Sequence, residues 1–281
     1  RLTGGMLRKR TLFGSLIGAG AAVVALLLWA GGALDRLENT TWAWRVHASA
    51  RPSAATPNIK LILLDQASLD WGSEQNGWSW PWPREVYGPI LDFCRRGGAR
   101  VVAFDVLFTE PSVYGVSDDE ALEAAIRRTP PFIGALVVKK NAEGVDVPIP
   151  EVARSATALA NVADEPDEDG VFRRAVLLRT VDGRTIPSLG LAAYLWGRGA
   201  SPSEELRVEK RNLFVGRQHV PVDEGGRAIL RFAGPTGVHP TVSAAAVIQS
   251  ELRLQAGETP VLDPEFFRDS FVFFGFSAPG L

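Results

Sequence analysis

The pattern of apolar and polar positions divides the chain into one long apolar segment near the N-terminus and a region of short alternating segments after it. Residues 11–34 are 24 positions without a charge, and they follow the basic cluster Arg8-Lys9-Arg10. As a helix this segment would extend roughly 36 Å, enough to cross a hydrocarbon core of about 30 Å. We therefore expect a transmembrane helix over residues 11–34.

The basic cluster also predicts the orientation of that helix. Positive residues stay on the cytoplasmic side, so residues 1–10 are expected to be a cytoplasmic tail and residues after about 35 to lie outside. A cleaved signal peptide is the alternative, because Gly31-Gly32-Ala33 offers the small residues that a peptidase needs. The apolar segment is longer than the usual signal core of about 7–15 residues. Under both interpretations the rest of the chain is exported.

Residues 35–57 predict a juxtamembrane helix followed by a linker. The helix carries a stripe at three- and four-residue spacing, formed by Leu34, Leu37, Thr41 and Trp44. Such a stripe needs a partner surface, either on the domain itself or on the same helix of a second subunit. Residues 51–57 are rich in proline and small residues, which is typical of a linker.

Residues 58–281 alternate apolar runs with helical patterns. The predicted strands are 59–64, 101–108, 132–138, 175–178, 227–232 and 271–276. The predicted helices are 85–96, 118–128, 187–196 and 242–252, the third of them started by Pro187. Strands that alternate with helices indicate an α/β fold, with a largely parallel or mixed sheet flanked by helices.

Composition and charge exclude several functional classes. The apolar share of 46% and the net charge of −2 describe an ordinary globular domain without the basic excess of nucleic-acid-binding proteins. The single cysteine, Cys94, cannot form an internal disulfide. Its place in an apolar helical segment favours a small buried side chain over a redox role.

Four motifs follow one another along the chain. They are Leu63-Leu64-Asp65-Gln66-Ala67-Ser68-Leu69, Trp80-Pro81-Trp82-Pro83-Arg84, residues 102–111 (VAFDVLFTEP) and residues 271–280 (FVFFGFSAPG). In this order they resemble the type-two CHASE domain (CHASE2), an extracytoplasmic sensory module of bacterial transmembrane receptors. The chain departs from the family at Ala43, where family members often have an acidic residue before an aromatic-arginine pair. The contact that this acid would make is therefore in doubt.

The resemblance implies a sensor over residues 58–281 that detects an unknown signal and controls a cytoplasmic output domain. That output domain and further membrane helices would lie beyond this chain. The implied output is an adenylate or guanylate cyclase, or else a histidine or serine/threonine kinase, so this region itself is not expected to be catalytic. The resemblance also places the protein in the bacterial inner membrane, with the sensor periplasmic or extracellular.

The same resemblance sets the expected partners. Cyclase and kinase outputs generally act between paired subunits, so we expect a homodimer in the membrane with an unknown extracytoplasmic ligand or partner protein. We expect no cofactor in this region and no nucleic acid. One alternative is a membrane-anchored envelope module that holds a partner protein without signalling. Another is an exported hydrolase.

The first candidate site lies at the strand ends, where open parallel sheets bind their ligands. Asp65 ends the first predicted strand and Ser68 follows it, while Asp105 lies within the second and Glu110 just beyond it. These side chains could converge on one crevice and bind a ligand or act as a switch. Alternatively, Asp65 and Ser68 cap the following segment, and Asp105 is a buried acid with its hydrogen bonds satisfied.

The second candidate site is the tryptophan-rich loop that contains Trp80, Trp82 and Arg84. Its two prolines restrict the backbone, so the rings are held in place for stacking on a ligand or for caging a cation. Alternatively, the rings cover the sheet as a lid. In that case Arg84 is expected to pair with Asp65 or Asp105 as a structural ion pair.

The acidic segment 164–170 resembles the start of an EF-hand loop. Val176 occupies the twelfth position and Pro166 interrupts the register, so a true EF-hand is excluded. Asp167 and Asp169 remain candidates for a looser metal site with oxygen ligands, and an ordinary acidic turn is the alternative.

Hydrolase chemistry finds little support in the sequence. Residues 275–279 follow a predicted strand, as a nucleophile elbow does, but Pro279 occupies the place of the second glycine. The three histidines, His47, His219 and His239, are far apart and lack metal-ligand spacing.

Overall fold

The computed structural model describes residues 3–129, 131–139, 144–167, 169–201 and 205–278, and for residues 3–11, 35 and 36 it describes the backbone only. Glu168 of the acidic segment and Pro279 and Gly280 of the last motif lie outside the described residues. The chain forms two compact units. One consists of Arg1–Arg51 with Arg231–Gly234, and the other of Pro52–Leu230 with Pro235–Leu281.

The first unit contains two helices, α1 (Thr3–Ala30) and α2 (Ala33–Ser49). Within α1, residues Leu12–Ala30 are long and apolar enough to cross a membrane. The helix ends before the predicted membrane boundary at Leu34, at a break formed by Gly31 and Gly32. Gly32 has a φ of 68°, a left-handed conformation that glycine adopts without a steric penalty.

The second unit is built on a sheet of seven strands among the residues described. In spatial order they are β13 (Thr241–Ser243), β1 (Ile59–Leu64), β14 (Phe271–Phe276), β2 (Val101–Phe104), β3 (Phe132–Val138) and, both beside β3, β4 (Val145–Asp146) and β5 (Ala158–Asn161). Neighbouring strands are parallel except for β3 and β4. The predicted α/β fold with a largely parallel sheet is confirmed.

Helices cover both faces of this sheet. One face carries α3 (Gln66–Asn76), α4 (Tyr87–Arg96), α5 (Val116–Arg128), α6 (Pro150–Ser155) and α8 (Ala244–Gln255). Helix α7 (Leu189–Trp196) packs on the other face. The side chains of Val102 and Phe104 in β2 are buried in the main core, on the face that carries the five helices. Those of Val101 and Ala103 are buried on the opposite face, in the cluster that includes α7. Burial on two faces explains why this strand is apolar at every position.

Shorter strands form three small sheets away from the main one. β6 (Arg174–Val176) pairs with β12 (Arg227–Ile229), and β7 (Leu178–Val181) pairs with β8 (Arg184–Pro187). A three-stranded antiparallel sheet consists of β9 (Leu206–Glu209), β10 (Asn212–Val215) and β11 (Gln218–Pro221). The strands predicted at 175–178 and 227–232 therefore exist, with different bounds.

Two predicted boundaries next to the strand ends are wrong. The predicted second strand reaches residue 108, but the backbone N–H of Asp105 makes its last sheet hydrogen bond, to the carbonyl of Phe274 at 2.8 Å. Helix α7 starts after Ser188, whose hydroxyl accepts a hydrogen bond from the N–H of Leu191 at 3.4 Å. Pro187 instead closes β8. Helices α3 and α6 and strand β5 escaped the sequence analysis.

Candidate functional site

A cleft of about 470 Å³ opens at the carboxyl edge of the sheet, where β2 and β14 end. The residues predicted as site residues that line it are Trp80, Trp82, Arg84, Asp105 and Glu110. Its remaining walls are largely apolar and include Tyr87, Phe108, Tyr114 and Phe276. The cleft therefore brings together the strand-end candidates and the tryptophan-rich loop, which the sequence indicates as separate sites.

Arg84 supports one wall of the cleft, and its guanidinium makes its contacts within the fold. Its guanidinium forms an ion pair with Asp119 and donates a hydrogen bond to the backbone carbonyl of Glu110. It also lies 5.2 Å from the centre of the Phe108 ring. The predicted pairing of Arg84 with Asp65 or Asp105 is wrong, because Asp119 is the acid within reach of its side chain.

Asp118 fastens the same wall by a different route. Its carboxylate accepts hydrogen bonds from the backbone N–H groups of Arg84 at 2.7 Å and Glu85 at 2.8 Å. The hydroxyl of Ser112 donates to the same carboxylate, and the N–H of Ser112 donates to Asp119 at 3.1 Å. The acidic pair at the start of α5 thus holds the segment after β2 against the tryptophan-rich loop. The sequence pattern indicates only the acidic first turn of a helix at these two positions.

Asp105 contrasts with these fully bonded groups. Its side chain is exposed to the cleft, and no hydrogen bond or ion pair reaches its carboxylate from any residue that the structure describes. Partial burial among the apolar walls raises the pKa of this carboxyl above its ordinary value. The interpretation of Asp105 as a buried acid with satisfied hydrogen bonds is therefore wrong.

Asp65 and Ser68 lie at the end of β1 and do not line the cleft. The carboxylate of Asp65 caps α3 by accepting hydrogen bonds from the N–H of Ser68 at 2.8 Å and from its hydroxyl at 2.6 Å. The buried Ser68 hydroxyl in turn accepts one from the N–H of Ala245 at 3.1 Å. These two residues take the capping role that was the alternative to ligand binding.

The tryptophan-rich loop divides its rings between the core and the cleft. Trp82 is 3% exposed and makes an edge contact with Trp78, with ring centroids 5.6 Å apart. Trp80 is 42% exposed and meets Phe276 edge to face at 5.1 Å. Trp82 therefore has the packing of a lid over the core, while Trp80 is partly exposed and lines the cleft.

A second cleft, of about 510 Å³, shares Asp105 and Val162 with the first. Its other walls come mainly from α7, β5, β6 and the three-stranded sheet. Asn161 in this wall is buried, with its side-chain oxygen accepting from the N–H of Val138 at 2.9 Å and its nitrogen donating to the carbonyl of Ala163 at 2.9 Å. Asn161 therefore ties the ends of β3 and β5 together, which leaves Asp105 as the unbonded polar group shared by both clefts.

Two acids of the segment 164–170 form salt bridges with the arginines that follow it. Arg173 donates to both carboxylate oxygens of Asp169 at 2.7 Å and to Asp167 at 3.2 Å, and Arg174 donates to Asp167 at 2.7 Å. The bond to Arg173 lowers the pKa of Asp169 to about 2. Across the described parts of the chain, no group of three or more His, Cys, Asp or Glu side chains is placed to hold a metal ion. Salt bridges account for the geometry of this turn.

The groups considered for catalysis are engaged elsewhere. Cys94 is fully buried in the main core, and burial raises the pKa of its thiol, so it stays protonated near neutral pH. His219 stacks against Phe214 in the three-stranded sheet, with centroids 6.0 Å apart. The Nδ1 atom of His239 lies 3.3 Å from the carbonyl of Thr56. His239 precedes β13 and Ser277 follows β14, so the two residues lie at opposite edges of the parallel sheet.

Comparison with known protein families gives a match over most of the chain. The family model of the CHASE2 domain matches residues 19–281. No curated protein and no solved structure shows a significant match. The matched region contains both clefts and every residue that lines them.

Proposed function

The chain belongs to the CHASE2 domain family, and from this premise we propose that it is the sensing part of a bacterial transmembrane receptor whose signal binds in the cleft beside Asp105. CHASE2 domains are extracytoplasmic sensors of signalling receptors, and the apolar helix α1 suits a membrane anchor. In this proposal the anchor lies in the inner membrane with its N-terminus in the cytoplasm. The controlled output is an adenylate or guanylate cyclase, with a histidine or serine/threonine kinase as the next class.

The unbonded carboxylate of Asp105 in an apolar cleft is the observation that carries the proposal. The Asp105 carboxylate is exposed in the cleft, and partial burial raises its pKa, which means that its ionised form is less favourable here than in free solution. The neighbouring acids Asp65, Asp118 and Asp119 all have hydrogen-bond partners in the fold. A ligand that pairs with the Asp105 carboxylate would therefore gain a favourable interaction that no described residue of the domain provides.

Signalling then requires a difference in affinity between two states of the receptor. A ligand shifts the equilibrium only if it binds one arrangement more tightly than the other. The cleft lies where the segment after β2 meets the tryptophan-rich loop, and these parts are joined through Arg84 and Asp118 rather than by strand pairing. We infer that movement between these two segments changes with ligand binding and is passed to the membrane helices.

We further propose a homodimer formed along α2. Leu34, Leu37 and Trp44 are 37%, 63% and 73% exposed. This stripe on one side of the helix suits parallel association with the same helix of a second copy. The paired outputs implied by the receptor class need two subunits held close together, which this association would provide.

Single introduced cysteines test the dimer. The native Cys94 is buried, so a cysteine at position 37 would be the accessible thiol of the chain. We expect Leu37→Cys to form a disulfide-linked dimer under mild oxidation in nanodiscs. Ala43→Cys, exposed on another side of the same helix, is the matched control and should crosslink at least tenfold more slowly. Equal crosslinking at both positions, or none at either, would contradict dimerisation along this stripe.

The sensing role is tested on the complete receptor encoded by the gene, reconstituted in nanodiscs. Asp105→Asn removes the charge at constant size, and Asp65→Asn is the control because asparagine caps helices nearly as well as aspartate. We expect Asp105→Asn to change cyclase or kinase output several-fold while the melting temperature stays the same, and Asp65→Asn to change neither. Output that is unchanged by Asp105→Asn in a folded receptor would place the sensing site outside this cleft, and a complete protein without an output domain would favour the envelope-tether alternative.

A further inference from the structure

The charge of the cleft indicates which ligands it can accept. Among the described residues that line the two clefts, Arg84 is the single cationic side chain, and its guanidinium is taken by Asp119, the Glu110 carbonyl and the Phe108 ring. The other charged groups around the first cleft are the carboxylates of Asp105 and Glu110. An anionic ligand would meet two negative charges and no available positive one.

The walls indicate what else the ligand carries. The half-exposed ring of Trp80 stands edge to face with Phe276, and Phe276 ends the strand next to Asp105. Tyr114 and Phe108 extend the same aromatic lining. Indole and phenyl faces attract organic cations, most strongly where water is excluded. A cleft of about 470 Å³ suits a small molecule.

We propose that this cleft binds a small organic cation, an ammonium group on an apolar body, with its charge against the carboxylate of Asp105 and its body against Trp80 and Phe276. This inference rests on the proposed function, because it names the chemistry of the signal for the same site. The raised pKa of Asp105 fits it, since a bound cation would supply the stabilisation that the fold withholds from the ionised carboxyl.

The test compares three probes that share a phenyl ring and differ in charge. Benzyltrimethylammonium is a permanent cation, benzyl alcohol is neutral and benzoate is an anion. The full chain is labelled with 5-fluorotryptophan in nanodiscs, and the ¹⁹F resonances of Trp80 and Trp82 are assigned by replacing each with Phe. We expect the cation to shift both resonances saturably, and the neutral and anionic probes to require at least tenfold higher concentrations.

Matched variants identify the groups responsible. Asp105→Asn is expected to raise the Kd for benzyltrimethylammonium at least tenfold, and Phe276→Leu about threefold, while Asp65→Asn leaves it unchanged. The ¹⁹F spectrum of each variant also reports whether the domain is folded. Equal or tighter binding of benzoate or benzyl alcohol, or an unchanged Kd in Asp105→Asn, would overturn the inference.

The two proposals fail in distinguishable ways. If the cation shows no preference for the cleft but Asp105→Asn still changes receptor output, the ligand chemistry is wrong and the sensing function stands. If the cation binds through Asp105 and receptor output ignores that residue, the chemistry stands and the sensing function is wrong.

Discussion

Asp65 and Asp105 occupy equivalent places in the sheet, and the structure uses them in opposite ways. Each is the first residue after a parallel strand, and both strands end at the same edge. Asp65 accepts two hydrogen bonds from Ser68, whereas no described residue donates one to the Asp105 carboxylate. Residue type and position in the sheet are the same, so the difference must come from the segment after each strand.

A helix begins directly after β1, and its first N–H groups need an acceptor, which Asp65 provides. After β2 the chain runs without a helix until Val116, so Asp105 has no helix to cap. The intervening segment is held instead by Arg84, Asp118 and Asp119. The comparison shows that the loop after a strand determines whether a strand-end acid serves the fold or remains available to a ligand.

The largest effect on stability is expected from replacing Arg84, which holds the segment that follows Asp105. Arg84→Met would remove the cation that pairs with Asp119 and the donor to the Glu110 carbonyl, and losing one partner of a buried pair costs about 3–5 kcal/mol of unfolding free energy. Urea unfolding of the full chain in nanodiscs measures it. Arg100→Met is the control, because Arg100 and Asp269 form an exposed pair worth at most about 1 kcal/mol. Equal losses in the two variants would contradict the structural role of Arg84.

The second prediction concerns the packing of α3, the helix that Asp65 caps. A methyl group at Gly72 in α3 would stand 2.9 Å from the Nε1 atom of Trp82. We expect Gly72→Ala to cost about 1–3 kcal/mol through overpacking, as seen by urea unfolding. At Gly190 in α7 an added methyl meets nothing within 4 Å, so Gly190→Ala should be neutral or slightly stabilising. A neutral Gly72→Ala would show that Trp82 does not pack against α3.

Removing the cap itself should have a smaller effect. Asp65→Ala is expected to lower the unfolding free energy by about 1 kcal/mol, the usual cost of an N-cap, while Asp65→Asn keeps most of it. Thermal melting of the two variants makes the comparison. A loss in Asp65→Asn as large as that in Asp65→Ala would mean that the negative charge, rather than the cap, is what the fold requires.

Asp105 should have the smallest effect on stability and a characteristic pH dependence. Burial raises its pKa, so the folded state keeps a proton that the unfolded chain has already lost, and stability falls as pH rises from about 3.8 through the raised pKa. Asp105→Asn cannot ionise and should therefore be equal or slightly more stable at pH 7, within about 0.5 kcal/mol. Thermal melting across this pH range measures the difference, and the gain should disappear below pH 3.8. A variant that is clearly less stable at pH 7 would place Asp105 in the scaffold.

The sequence predicted the central strands because short continuous apolar runs such as 132–138 are typical of parallel strands that are buried on both faces. It also predicted the region of the site, since the carboxyl ends of such strands share an edge. It could not tell which acid has partners in the fold, because the helix that Asp65 caps was not predicted and the contacts that hold the segment after β2 join residues far apart in sequence. The Ser68 hydroxyl accepts a hydrogen bond from the N–H of Ala245, and Arg84 forms its ion pair with Asp119.

Helix α3 escaped prediction for a local reason. It contains Gly72 in its interior and few apolar residues, so the helical period in its sequence is weak. It is held by the Asp65 cap at its start and by packing of Trp71 and Leu69 on the main core. Tertiary contacts, rather than intrinsic propensity, therefore stabilise this helix.

The position of β14 has a consequence for how the domain is made. This strand comes last in the described chain, yet it lies between β1 and β2 at the centre of the sheet. Until residues 271–276 have been synthesised, β1 and β2 have no strand between them, and their backbone edges remain unpaired. Folding of the sheet is therefore a late event that joins the two ends of the domain, and such long-range pairing is slow. An unfinished domain with unpaired strand edges is prone to aggregation, so the yield of folded protein should be sensitive to changes in this strand.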